Sequence, residues 1–120
     1  LVEILEACID GTLKDLDIQW SDEAAACVVM ASGGYPKSYP KGIEIKGLDE
    51  NGQISGATVY HAGTVYRDGR FFTNGGRVLG ITATGKDLKE ARKNAYEATD
   101  WIQFANKYMR HDIGKAIDEA

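Results

Sequence analysis

The chain has 120 residues, 43% of them hydrophobic and 27% charged, with a formal net charge of −4 at pH 7. This length fits one domain of ordinary size, and the composition is typical of a folded, soluble protein. The acidic balance and the lack of a Lys or Arg cluster exclude the basic face that nucleic acids need, and no apolar run has the length of a membrane span. We expect a cytoplasmic domain whose Cys8 and Cys27 are free thiols in a reducing compartment.

The first predicted element is an amphipathic helix at the start of the chain. Leu1, Leu5 and Ile9 recur at helical spacing, and Gly11 ends the pattern. Because the pattern begins at Leu1 without a capping residue before it, we expect this chain to be a piece of a longer one. Residues 15–19 are predicted to form a short strand.

The middle of the chain is predicted to be a series of strands joined by glycine turns. The apolar run 24–31 contains Val28 and Val29 and is stopped by two glycines, which favours a buried central strand over a helical turn. Asp68-Gly69 predicts a two-residue hairpin loop between strands 64–67 and 70–73. Further strands are predicted at 43–48, 57–62 and 77–84, with a turn at Asn51-Gly52.

One long helix is predicted after the last of these strands. Asp87 precedes the helical pattern and Glu90 follows it by three residues, as in a capping box. The apolar stripe consists of Leu88, Ala91, Ala95, Ala98 and Ile102. Its small alanines allow the helix to lie close against a sheet. Together the elements predict an α+β fold, a mostly antiparallel sheet with one long packed helix.

Two glycine loops are the candidate ligand-binding segments. Gly75 and Gly76 can expose backbone N–H groups to a ligand, and Arg77 adds a planar donor fork suited to carboxylate or phosphate. The other loop, residues 33–36, joins two glycines to Tyr-Pro at the end of the apolar strand. The alternative is that both loops are ordinary turns and that Arg77 bonds to neighbouring carbonyls.

Conventional catalytic and metal-binding patterns are absent from the sequence. His61 and His111 lie far apart with no partner at ligand spacing, so we predict no metal site and interpret His61 as a structural, hydrogen-bonded histidine. The Gly75-Gly76-Arg77 run lacks the third glycine of a dinucleotide fingerprint and opens a strand where that motif opens a helix. No Walker loop or nucleophile elbow follows either loop.

Four ordered segments carry a resemblance to a known family. They are Ala-Ser-Gly-Gly-Tyr-Pro at 31–36, Tyr-Pro-Lys-Gly at 39–42, His-Ala-Gly-Thr at 61–64 and Gly-Gly-Arg-Val-Leu-Gly-Ile-Thr-Ala at 75–83. In this order they resemble the C-terminal domain of glycinamide ribonucleotide synthetase, also called phosphoribosylamine–glycine ligase. Residues 20–25 and 110–114 resemble that family's entry into the first strand and its closing segment. The tail departs from the family pattern, so no phosphate-binding role is carried over to it; the departures are Asn106, Met109 and Ala116.

The resemblance implies a piece of an ATP-grasp ligase of de novo purine biosynthesis, with a fold like a barrel-sandwich hybrid. Such an enzyme joins glycine to 5-phosphoribosylamine through a glycyl phosphate, while ATP becomes ADP and phosphate. The resemblance places ATP and Mg²⁺ on upstream domains. Residues 1–120 would then be a single C-terminal, substrate-side domain with no catalytic residue, no metal ligand and no activity alone.

Given this resemblance, we hypothesise that the two glycine loops shape the pocket that receives phosphoribosylamine or glycine. The candidate residues are Gly33, Gly34, Tyr35, Pro36, Gly75, Gly76 and Arg77. The alternative function, from a different class, is a free-standing, non-catalytic binding module with the same fold.

Overall fold

The computed structural model describes residues 1–118. Its helices are α1 (Val2–Asp10) and α2 (Leu88–Thr99), and short 3-10 turns span Leu13–Asp15 and Lys115–Asp118. Its strands are β1 (Ala24–Ser32), β2 (Glu44–Ile45), β3 (Thr58–His61), β4 (Thr64–Arg67), β5 (Arg70–Thr73), β6 (Arg77–Gly85) and β7 (Lys107–Tyr108).

The strands form two antiparallel sheets. The large sheet has the order β3-β6-β1-β7, and the small sheet has the order β2-β5-β4. The longest pairing joins β1 to β6, with Ala24 opposite Gly85 and Met30 opposite Leu79, and a bulge follows Met30. Helix α2 packs on both of these strands. The predicted α+β class, with antiparallel pairing and one long packed helix, is therefore confirmed.

The two faces of the large sheet have different surroundings, and β1 shows the difference residue by residue. Val28 and Met30 are fully buried, whereas the alternating residues Cys27 and Val29 are exposed. The alternation arises because successive side chains of a strand point to opposite faces of the sheet. We call the face with Met30 the closed face. It packs against α2 and the small sheet, and its core contains Met30, Ile45, Val59, Val78, Leu79, Ile81, Ala98, Ile102 and Phe104.

The opposite face, which we call the open face, carries Cys27, Val29, Tyr60, Gly80 and Thr82. The strand register shows that they share it, because Val29 and Tyr60 both lie opposite Gly80, while Cys27 lies opposite Thr82. Val29 is 43% exposed and Tyr60 is 60% exposed. The prediction that run 24–31 is a strand is confirmed, but as far as Met30 this strand is buried on one face only, and Ala31 and Ser32 after the bulge are both buried.

Helix α2 begins as its capping signal predicts. The Glu90 N–H donates to the Asp87 carboxylate at 2.8 Å. The Glu90 carboxylate accepts from the Lys86 N–H at 2.8 Å, one residue before the position that an ideal capping box uses. The alanines of the predicted stripe are buried, but Leu88 is 39% exposed and Ile102 lies beyond the end of the helix.

Two strand predictions need correction. Residues 15–19 form no strand, since Leu13–Asp15 is a 3-10 turn and Leu16 continues as extended chain that pairs with no strand in residues 1–118. The predicted strand 43–48 is reduced to Glu44–Ile45, followed by a single bridge from Lys46 to Gln103. In both places the local residue pattern allows a strand, but ladder length depends on the neighbouring chain.

Helix α1 stands apart from the two sheets. Ala7 is its only buried residue, and its contacts are chiefly with the adjacent 3-10 turn. Leu5 and Ile9 are 55% and 84% exposed, so the apolar side of this helix is uncovered. Within residues 1–118, no helix combines the length and apolarity needed to cross a membrane.

Candidate functional site

The structure brings the two predicted glycine loops together at one end of the two central strands of the large sheet, β1 and β6. Strand β1 ends at Ser32 where β6 begins at Arg77, because the two strands are antiparallel neighbours. The Ser32 N–H donates to the Gly76 carbonyl at 2.7 Å, and the Ser32 hydroxyl donates to the Gly75 carbonyl at 2.8 Å. Residues 33–36 and 75–77 are therefore joined through Ser32.

Tyr35 lies directly on the backbone of Gly76. A Cβ added at Gly76 would overlap with the ring carbons of Tyr35, so this position accommodates only glycine unless the ring moves. Tyr35 is joined to Pro36 by a cis peptide bond, and its N–H donates to the Ser32 carbonyl at 3.1 Å. Gly76 is needed here for close approach, not for an unusual φ angle.

A third segment, which the pattern of glycines and arginine did not place in the site, also reaches this end of the strands. Gly63 packs on Gly75, since an added Cβ at Gly63 would lie 2.9 Å from the Gly75 Cα and 2.6 Å from the Arg77 carbonyl oxygen. The Asn74 N–H donates to the Gly63 carbonyl at 2.7 Å. The available signal was Gly63 itself within the His-Ala-Gly-Thr segment.

The glycine loop keeps hydrogen-bond donors free. Among residues 1–118, the N–H groups of Gly75 and Gly76 donate to no acceptor. The exposed guanidinium of Arg77 likewise has neither a hydrogen bond nor an ion pair within this part of the chain. The structure therefore does not show Arg77 bonded to neighbouring carbonyls. Backbone N–H groups next to an unpaired guanidinium are suited to bind an anionic group.

Two grooves lie on either side of Tyr35 and Arg77, and Val29 contributes to both. The glycine groove has a volume of about 470 Å³, and its other lining residues are Tyr60, Ala62, Gly63, Asn74, Gly75, Gly76, Leu79 and Gly80. The apolar groove has a volume of about 260 Å³, and its other lining residues are Cys27, Ala31, Tyr108, Met109, Arg110 and Ile113. The predicted loop residues Tyr35 and Arg77 thus line both a glycine-rich groove and a more strongly apolar one.

The closing segment of the chain is fastened beside the apolar groove. The Tyr96 hydroxyl donates to the Arg110 carbonyl at 2.6 Å and accepts from the Ile113 N–H at 3.1 Å. Arg110 donates to both carboxylate oxygens of Asp112, at 3.0 and 2.7 Å. This hydrogen-bonded pairing lowers the pKa of Asp112 and raises that of Arg110. These hydrogen bonds therefore hold segment 110–114 in place beside this groove.

Both ring nitrogens of His61 have hydrogen-bond partners. His61 Nε2 lies 2.8 Å from the Gly52 carbonyl oxygen, and Nδ1 lies 2.8 Å from the Thr64 hydroxyl. Because a carbonyl only accepts, Nε2 carries a proton, and in the neutral ring Nδ1 then accepts from the Thr64 hydroxyl. This geometry agrees with the structural role predicted for His61. Residues 1–118 contain no group of three or more His, Cys, Asp or Glu that could hold a metal ion.

Comparisons with known proteins agree on one family. The family model described as "Phosphoribosylglycinamide synthetase, C domain" matches residues 25–116. The phosphoribosylamine–glycine ligase of Caldanaerobacter subterraneus is 50% identical over 112 residues, which cover 93% of this chain and 26% of the relative. That of Synechocystis is 49% identical over 115 residues, which cover 95% of this chain and 27% of the relative.

A solved structure extends the comparison to the fold. The crystal structure of phosphoribosylamine–glycine ligase from Thermotoga maritima matches with a TM-score of 0.65 and 39% sequence identity. The match covers 74% of this chain and 21% of that one. This chain thus spans about a quarter of the length of the curated relatives that it matches.

Proposed function

The chain belongs to the phosphoribosylglycinamide synthetase C-domain family, and on that premise we propose that it is the C-terminal, substrate-side domain of a phosphoribosylamine–glycine ligase. The proposed whole enzyme is cytoplasmic and joins glycine to 5-phosphoribosylamine in de novo purine biosynthesis, with ATP hydrolysed to ADP and phosphate. The share of the relatives that this chain covers supports the proposal that further domains complete the enzyme.

The observation that carries this proposal is the set of free donors at the glycine groove. Gly75 and Gly76 line the groove, and their N–H groups have no acceptor in residues 1–118, although Gly76 itself is buried. Arg77 follows them with an exposed, unpaired guanidinium. We assign to this group the binding of an anionic part of phosphoribosylamine or glycine, or the stabilisation of charge that develops during transfer. Residues 33–36 contribute the wall of the same pocket through Tyr35.

We also propose that ATP and magnesium bind outside this domain. Within residues 1–118 no cluster of carboxylates or histidines is arranged to hold a cation. The glycine loop leads into β6, whereas the phosphate-binding loops of P-loop and Rossmann nucleotide sites lead into a helix whose N-terminus faces the phosphates. We therefore place ATP binding and the Mg²⁺ ligands on the ATP-grasp domains upstream, and assign no catalysis to this domain alone.

The open face supports a position against those domains. It is continuous with both grooves, because Val29 lines each of them, and Tyr60 on the same face lines the glycine groove. Contiguous exposed apolar surface on a soluble protein marks a contact or ligand surface. In the proposed enzyme this face is turned toward the upstream domains, with the glycine groove at the substrate.

Replacement of Arg77 by alanine in the full-length ligase tests the proposal. We expect a loss of roughly 2–4 kcal/mol in transition-state stabilisation, by analogy with removal of an oxyanion donor, measured as the fall in kcat/KM. Arg67→Ala is the matched control, since Arg67 is also exposed but lies over the Phe72 ring, at 4.9 Å from its centroid. Unchanged turnover and substrate affinity in Arg77→Ala would refute the assignment.

The length of the natural gene product separates this function from a free-standing binding module. A chain several-fold longer, with an ATP-grasp region before residue 1, is the expected result from intact mass and peptide mapping. A natural product of about the length of one domain would favour the binding module instead.

A further inference from the structure

Ser32 is a fully buried residue that connects both halves of the proposed anion site. Its exposure is 0%, and it makes three hydrogen bonds across the site. Its hydroxyl donates to the Gly75 carbonyl, its N–H donates to the Gly76 carbonyl, and its carbonyl accepts from the Tyr35 N–H. None of these partners is on its own strand.

We propose that Ser32 is a positioning residue that orients the glycine loop for anion binding. The inference rests on the proposed function of that loop. Two adjacent glycines have the greatest backbone freedom of any dipeptide, so the direction of their N–H groups is set only by what holds the loop. In this structure Ser32 holds both carbonyls of the pair.

Through peptide geometry, these two bonds fix the direction of one acceptor-free donor, the Gly76 N–H, and of the Arg77 N–H. In a planar trans peptide the C=O of one residue and the N–H of the next point in opposite directions. The Gly75–Gly76 peptide is trans, so a Gly75 carbonyl held by the Ser32 hydroxyl directs the Gly76 N–H away from Ser32. The bond from the Ser32 N–H fixes the peptide between Gly76 and Arg77 in the same way. The Ser32 hydroxyl thus fixes the direction of the Gly76 N–H, although the hydroxyl itself does not contact the ligand.

A kinetic double-mutant cycle in the full-length ligase tests this role, with Ser32→Ala, Arg77→Ala and the double variant. We expect Ser32→Ala to lower kcat/KM for phosphoribosylamine or glycine about tenfold, near the upper end of what one lost hydrogen bond changes. The KM for ATP stays within about twofold, since no ATP contact is assigned here. In the Arg77→Ala background the same change lowers kcat/KM less than about threefold, because both residues act through one site.

Two further variants separate positioning from a general loss of packing. Thr99→Val removes another buried hydroxyl, which is 1% exposed and donates to the Tyr96 carbonyl at 2.6 Å away from both grooves. We expect its kinetic constants to match those of the parent enzyme. Ser32→Cys keeps a donor in the same place, although a thiol donates a weaker hydrogen bond than a hydroxyl. We expect it to retain part of the activity that Ser32→Ala loses. It also replaces Ser32→Ala in the cycle if that variant does not fold.

The outcomes distinguish the positioning role from the proposed function. If Arg77→Ala lowers kcat/KM but Ser32→Ala behaves like Thr99→Val, the positioning role is wrong and the proposed site stands. The positioning role is also wrong if the effects of the Ser32 and Arg77 substitutions on kcat/KM are additive. If Arg77→Ala has no effect, the proposed function itself fails, and the role of Ser32 fails with it.

Discussion

Met30 and Val29 are neighbours on β1, yet they belong to two different surfaces of the molecule. Met30 is fully buried on the closed face, whereas Val29 is 43% exposed on the open face. The closed face gains its burial from α2 and the small sheet, while the open face leads into the two grooves. A single apolar run therefore supplies the core on one side and an exposed, groove-lining surface on the other.

The largest expected difference between the two faces comes from deleting side chains at this pair. Met30→Ala leaves a cavity in the core and is expected to cost about 2–5 kcal/mol of unfolding free energy. Val29→Ala removes a half-exposed side chain and is expected to change it by less than about 0.5 kcal/mol. Urea unfolding followed by circular dichroism measures both. Equal losses would mean that the open face is also part of the core of this chain.

Glycine-to-alanine substitutions on β6 test the same two faces, with a smaller expected effect on the stability of the chain. A Cβ at Gly85 would lie 2.6 Å from the backbone N of Ala91 in α2, whereas a Cβ at Gly80 would lie 3.2 Å from the Cys27 Sγ. We expect Gly85→Ala to destabilise the chain by about 1–3 kcal/mol, because the helix backbone has to move. Gly80→Ala, facing a movable side chain, is expected to lie within about 0.5 kcal/mol of the parent. Thermal unfolding of the two variants is the measurement, and a reversed order would contradict the assignment of faces.

The smallest effect is expected at the ion pair beside the apolar groove. Arg110→Ala removes the guanidinium that lowers the pKa of Asp112, so that pKa rises toward its ordinary range. The folded-state pKa of Asp112 is lower than its unfolded-state pKa, so the ion pair stabilises the folded chain at pH values above the unfolded-state pKa. This stabilisation is lost as the pH falls through the folded-state pKa. Carboxyl NMR titration of Asp112 in the parent chain and in Arg110→Ala measures the shift. A pKa of Asp112 that does not move in Arg110→Ala would show that the pair is absent in solution.

Local chemistry was sufficient to predict some elements of the fold. The hairpin of β4 and β5 was predicted with the observed bounds, because Asp68 and Gly69 adopt the positive φ angles, 52° and 76°, that a tight two-residue hairpin loop requires. Family membership was identified from four ordered motifs, and the family match over residues 25–116 confirms it. Residues 15–19 show the limit, since the local sequence was interpreted as a strand where the described part of the chain, residues 1–118, offers no strand to pair with.

The site depended on contacts that no local pattern reports. The Ser32 hydroxyl and the Gly75 carbonyl are 43 residues apart in the chain, and they meet only because β1 and β6 pair in one register. A single serine at a strand end carries no signal of its own, so Ser32 was absent from the predicted site residues. Tyr35 and Arg77 were predicted as candidates, but their position between two grooves required the sheet.

The two cysteines have a use that follows from where they lie. Cys8 is on α1 and Cys27 is on the open face, and both are exposed, free thiols. Each of the two uncovered apolar surfaces therefore bears its own alkylation reporter. In an assembled enzyme, the labelling rate of each thiol, followed by peptide mass spectrometry, gives a separate footprint of what covers α1 and what covers the sheet.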